Sequence, residues 1–269
     1  MNMRGFLAKL TILVLAGATA GRARADGLDD QAMRDLSSDE RLPLLMRQAL
    51  ASEVAAAQQE GVPATLLVDR VEEGLAKGAA PSEIEQLVRR QHATFAQAAR
   101  LLKTAAPGVL NGADGRSALE ATGEALASGV QAEKLGTFLG HPSQLRQGQS
   151  PLATEVRARA EAAANLAEHG FPTEGAVALL FSAVDRGHER QALRAVTGAA
   201  ERLDREGRGP REPLLGRLHE EILRGRSPAD LYNTVAAQLP QARTEKRALR
   251  HGEQRGPDRD EAYAHAPGK

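Results

Sequence analysis

Apolar residues recur along this chain at a spacing phased on four glycines, Gly78, Gly129, Gly187 and Gly225. Ten residues before each glycine stands Val68, Leu119, Val177 or Leu215, and three before it Leu75, Leu126, Val184 or Ile222. The position seven before is Val71, Leu180 and Leu218 in three copies and Thr122 in the second. Beyond the glycines the register continues at Ile84, Leu135, Leu193 and Leu231. It then reaches Leu87 with Val88, Phe138 with Leu139, Val196, and Val235. Steps of three and four residues return to one side of an α-helix, so each glycine is flanked by two amphipathic helices. Glycine lacks the Cβ that penalises the left-handed conformation closing a helix, which makes it the predicted turn. The pattern predicts a helix-turn-helix unit repeated four times.

The residues around each turn agree with that reading. Lys77, Arg186 and Arg224 immediately precede three of the glycines, where a cation complements the negative end of the helix dipole. Glu83, Glu133, Glu189 and Asp230 place negative charge near the start of the following helix. Pro81, and Pro228 after Ser227, suit a first helical turn, with Ser227 the expected N-cap. A second layer of punctuation precedes the units: Gly61-Val62-Pro63 and Gly170-Phe171-Pro172 stand at one offset before Gly78 and Gly187, and Pro210 holds the proline place before Gly225. The first and third units therefore gain a leading helix, near Leu44 to Glu60 and Leu152 to His169.

The expected fold class is all-α, with helical-hairpin repeats stacked as a short irregular α-solenoid or a compact helical bundle. Two related halves, about 42–140 and 151–240, make up a repeat domain over 41–240. The arrangement has a general likeness to α-solenoids, without the signatures of tetratricopeptide or ankyrin repeats. The phased glycines are 51, 58 and 38 residues apart, whereas regular solenoids keep a fixed period.

Outside that domain the character changes. Met1 to Lys9 is basic, Leu10 to Ala20 is apolar, and Ala23-Arg24-Ala25 supplies small residues for a signal peptidase, so residues 1–25 read as a secretory signal peptide cleaved after Ala25, with Ala20 the minor alternative. The apolar run is shorter than the roughly 20 residues that span a bilayer. Residues 26–40 are polar and read as a flexible lead-in. Residues 241–269 mix arginine with acids, are poor in apolar side chains and read as a disordered tail. Removing 1–25 takes away four basic residues and no acids, which turns a balance of 35 against 35 into 31 Lys and Arg against 35 Asp and Glu. A mildly acidic, aromatic-poor chain of this kind is not expected to bind nucleic acid. The expected product is an exported periplasmic or secreted protein with no membrane span after signal removal.

Candidate chemistry is sparse. The chain contains no cysteine, so thiolate ligands and thiol nucleophiles are excluded. His92, His141, His169, His188, His219, His251 and His265 never fall three or four residues apart. His169 and His188 border glycines and suit helix-end roles. Glu72-Glu73 and Glu220-Glu221 are the acidic doublets of the helical region; they fall between stripe positions, where a solvated face is expected, and a carboxylate hydrolase would need such groups brought together by folding. No catalytic, cofactor-binding or metal-ligating residue is assigned, and no cofactor is expected. The reading that follows is a non-enzymatic scaffold of the bacterial envelope binding a protein or peptide partner. A cell-wall hydrolase built on those carboxylates and a holdase-like chaperone with an apolar groove are the alternatives. The phase itself is testable: Leu193→Asp is expected to cost at least about 3 kcal/mol and Gly187→Ala about 1 kcal/mol in urea melts, and curves overlaying the parent would show the register to be wrong.

Overall fold

The computed structural model describes residues 27–111, 114–142, 152–186 and 189–239, and these form eleven α-helices and no strand. A first helix, α1, covers 27–38. It is followed by α2 (Leu44–Glu60), α3 (Ala64–Ala76), α4 (Pro81–Ala105), α5 (Gly115–Ala127) and α6 (Ala132–Leu139). The second half is α7 (Leu152–Glu168), α8 (Thr173–Arg186), α9 (Glu189–Arg205), α10 (Arg211–Leu223) and α11 (Leu231–Gln238). From α2 to α6 and from α7 to α11 the helices correspond one to one, and both leading helices have 17 residues, as the paired glycine-proline signals imply. The expected signal peptide, the tail 241–269 and Gly187 itself lie outside the described residues.

The predicted stripes form the core. Ile84, Leu135, Leu193 and Leu231 are buried, as are Val68, Leu119, Val177 and Leu215, while Leu75 and Leu126 are packed at its margin. Gly78, Gly129 and Gly225 adopt φ of 69°, 90° and 85°. In each of the three turns the glycine N–H bonds a carbonyl three residues back and the next N–H one five back, as Gly78 to Leu75 and Ala79 to Gly74. This double closure satisfies carbonyls that a helix end would otherwise leave orphaned. The first glycine interval exceeds the last because α4 runs to 25 residues where its counterpart α9 has 17 and a longer connection follows it, and the middle interval holds the leading helix α7.

Residues 27–38 correct the expectation of a flexible lead-in. Ala32 and Leu36, one turn apart, are buried, and the Asp29 carboxylate accepts the Thr65 backbone N–H and hydroxyl, each at 3.1 Å, at the start of α3. Asp29 thus supplies from a separate helix the cap that Pro63 cannot provide. The signal was present as apolar or small residues at Ala32, Met33 and Leu36.

Helix α7 is the centre of the fold. It packs on α5, α6, α8 and α9, most extensively on α5. The buried residues of α5 are nearly all small, including Ala118, Ala121 and Ala125, and those of α7 include Ala153, Ala160, Ala163 and Ala164, so the two backbones approach closely. Gly123 serves the neighbouring contact with α4, because a Cβ there would lie 2.5 Å from the Phe95 ring. Thr122, the polar departure from the apolar stripe, is fully buried and donates its hydroxyl to the Ala118 carbonyl at 2.7 Å.

One buried cation sits at this junction. Arg159 of α7 is 2% exposed, and its Nη1 donates to the carbonyls of Phe138 (3.0 Å), Leu139 (3.2 Å) and His141 (2.6 Å) at the end of α6. Arg208 does comparable work in the second half, donating to Ala236 and Leu239 at the end of α11. Arg159→Met keeps the volume and removes the donors, and it should cost about 2–4 kcal/mol in urea melts. An unchanged midpoint would show that the α6 carbonyls are satisfied in another way.

Candidate functional site

The principal depression follows from the position of α7 between α5 and α9. Its floor contains Ala158 and Ala162 of α7, and one wall carries Arg190, Leu193, Arg194 and Thr197 of α9. Asp114, at the start of α5, closes the other side, giving an open cleft of about 360 Å³. A second depression of about 200 Å³ shares Arg157 and Glu161 with the first and continues along α5 past Ser117, Glu120, Ala121 and Glu124. Together they make a trough along α7 that is divided by the Arg157–Glu161 pair both share, with Ala158 and Ala162 on the α9 side and Ala121 on the α5 side.

The charges on the trough are divided between its walls. Arg157 Nε pairs with Glu161 at 2.5 Å, one turn along α7, and Thr154 donates to Asp114 at 3.4 Å. Arg190 and Arg194, one helical turn apart on α9, take part in no hydrogen bond or ion pair among the described residues. In the depression beside α5 the Glu124 carboxylate is likewise without a hydrogen bond or ion pair among them. Its partial burial, with Glu120, Glu168 and Glu161 nearby, pushes its pKa above the ordinary carboxylate value against the pull of Arg70. The Asn165 Oδ1 atom, on the cleft lining, is buried without a hydrogen-bond partner.

The residues singled out in the sequence are placed elsewhere. Glu73 on α3 pairs with Arg70 at 3.0 Å and Lys77 at 2.6 Å, and these cations lower its pKa, Lys77 most. Glu72 lines a small depression beside Arg41 and Leu36. Glu220 on α10 pairs with Arg217 and Arg224. Glu221 departs from the expected solvated position: it is 3% exposed and accepts from Gln238 and Arg224, with Arg226 3.6 Å away. The Gln238 hydrogen bond, followed by the two arginines, lowers its pKa. The two doublets lie in different halves and share no partner, so folding does not assemble them into a paired-carboxylate site.

The histidines also have local partners. His169 Nδ1 meets the Asn165 carbonyl at 2.8 Å at the end of α7, the helix-end role expected for it, while His188 lies outside the described residues. His92 of α4 bridges Glu53 and Glu60 of α2 at 2.6 and 3.4 Å. His141 meets Asp185 at 2.8 Å, and His219 of α10 meets the Ser182 hydroxyl of α8 at 2.8 Å. A serine hydroxyl against an imidazole is the start of a nucleophilic pair. Here it joins two helices within their length, and the conspicuous depressions lie elsewhere. No group of three or more metal-ligating side chains occurs among the described residues, and no described helix is long and apolar enough to cross a membrane.

Comparison with family models, curated proteins and solved structures found no match. The trough was not visible in the sequence. Arg190 and Arg194 read there as an ordinary charged helix face, and only the packing of α9 beside α7 sets them on the wall of a cleft.

The two shifted carboxylates give opposite pH dependences. Glu221 has a lowered folded pKa, so it adds stability above the ordinary carboxylate pKa, and that contribution is lost as pH falls through its folded value. The parent should therefore be more stable than Glu221→Gln at pH 7, with the gap closing in acid. Glu124 has a raised folded pKa, so its relative stabilisation belongs to low pH and disappears as pH rises through the folded value. Glu124→Gln should be more stable than the parent at pH 7 and equal to it in acid. Urea melts of the three proteins between pH 3 and pH 7 check both signs, and parallel trends for the two variants would refute the assignment.

Proposed function

We propose that this chain is an exported, non-enzymatic scaffold of the bacterial envelope, a short irregular superhelix of helical hairpins that binds a protein or peptide partner along the α5–α7–α9 face. The observation that carries the reading is the trough itself: an alanine floor that admits a backbone closely, between walls of charged side chains that can align it. Repeated helical frames commonly present such extended surfaces. Glu73, Glu220 and Glu221 are held by their own cations in the manner of structural ion pairs, which favours a scaffold over a carboxylate hydrolase. The walls are polar, which favours a selected partner over the unfolded clients of a holdase.

Export rests on the basic, apolar and small-residue segments of residues 1–25. Cleavage after Ala25 would leave α1 close behind the new terminus, with Asp29 free to cap α3.

Two measurements test the proposal. N-terminal sequencing of the protein from the periplasmic fraction of a bacterial host should begin at Asp26, and retention of residues 1–25 would overturn the export reading. Display of random dodecapeptides against the immobilised protein should yield a reproducible consensus. Ala158→Trp, which fills the cleft floor beside Leu193, should abolish that binding while the urea melt stays a single cooperative transition. Absence of any consensus, or binding untouched by Ala158→Trp, would overturn the assignment of this face.

A further inference from the structure

Helix α2 leaves uncovered a face that its counterpart α7 buries. Gly61 and Gly170 set the offset between the two halves, and under it the packing of α2 on α3 and α4 repeats that of α7 on α8 and α9. The most extensive packing of α7, on α5, has no such repeat. Ala153, Ala160 and Ala164 are buried on α7, whereas Leu44, Ala51 and Ala55 hold the same places on α2 and none of them is buried. Leu44 is 60% exposed and Leu45 79%, and among the described residues only Leu28 and Leu223 are further large apolar side chains so exposed.

The same side of α2 carries no charge. Steps of three and four residues bring Leu45, Gln48, Ala49, Ser52, Ala56 and Gln59 together, and all six are exposed. The charged side chains of α2 have partners elsewhere: Arg47 reaches the Ser37 carbonyl, Glu53 meets His92, and Glu60 meets His92 and Arg100. Where α7 meets water with the Arg157–Glu161 pair, α2 has Gln48 and Ser52. The second half closes in the opposite manner. Exposed Arg217, Glu220 and Arg224 pair along α10, and Arg217 holds the place that Ala121 has on α5. A terminal unit of a repeated fold stays single in water by presenting a polar outer face, and α10 has one where α2 does not.

We infer that α2 is a self-association surface, on which two copies of this chain pack their α2 helices antiparallel across a twofold axis near Ser52. Such an axis sets Leu45 against Gln59 and Gln48 against Ala56, and brings no like charges together. The small residues in the middle let the two backbones approach as the alanines do between α5 and α7. Antiparallel helices also oppose their dipoles favourably. A second copy fits this face better than a foreign helix because the face matches itself, leucine at one end and amide at the other about a small centre, and offers no charge that would select a different partner. A head-to-tail contact is disfavoured, since it would lay the same face on Arg217 and Glu220 and take their charges out of water.

The contact uses none of the residues that line the trough, so it stands whether or not that face binds a peptide. One 17-residue helix on another is a small interface, and the dimer should form reversibly in the micromolar range. Sedimentation equilibrium of the chain as purified from its host, over roughly 1 to 200 μM, reads that association. Leu45→Glu and Ser52→Glu, both at exposed positions, should raise the dissociation constant at least about tenfold, the second by facing two carboxylates across the axis. Leu223→Glu on α10 should dimerise as the parent does. Because the chain has no cysteine, a single introduced one reports the geometry directly. On mild oxidation Ser52→Cys should be trapped as a disulfide-linked dimer and Arg217→Cys should not. This trapping decides the question even if a glutamate variant fails to fold. A chain that stays monomeric throughout, a dimer that Ser52→Cys does not trap, or one that Leu223→Glu abolishes overturns the inference.

Discussion

The gathering of helix-end carbonyls by buried or half-buried guanidinium groups holds this fold together. A helix of eight residues such as α6 has about twice as many unsatisfied terminal groups as internal bonds, and cannot persist unless something else receives its last carbonyls. Arg159 does so from the middle of α7, and in doing so fixes where the second half sits on the first. The contact is directional, unlike the apolar packing around it, so it specifies register and not only proximity. Arg47 reaches the Ser37 carbonyl near the end of α1, a weaker relative of the same device at 3.3 Å.

Around that fixed point the alanine seam of α5 and α7 performs two tasks. It brings the backbones close enough for Arg159 to reach α6, and it leaves a shallow floor where a larger side chain would have filled the space between α5 and α9. The trough is thus a by-product of how the halves are joined. Its walls could diversify without disturbing the stripes, because Glu124, Arg190 and Arg194 project from faces that the core does not use.

Much of this was legible in the amino-acid order. Gly78, Gly129 and Gly225, the stripe residues around them and the two leading helices read correctly because each depends on local periodicity and on one residue type with a special backbone preference. α1 escaped detection because its apolar face is short and its docking depends on Asp29 meeting Thr65, 36 residues away. Glu221 was misplaced for a similar reason: its cover comes from Gln238 on another helix. The site was the least legible part. Its residues come from three helices spread over some 80 positions, and each alone is an ordinary charge on an ordinary helix.

The two halves are closed differently, and this has a consequence for the order of synthesis. α11 is closed by Arg208, which precedes it in the chain and is already made when α11 appears. α6 is closed by Arg159, which follows it by 20 residues. A nascent chain that has just completed α6 therefore has an unfinished end until α7 emerges, and its first half cannot settle ahead of the second. The delay is built into the sequence by the position of a single arginine.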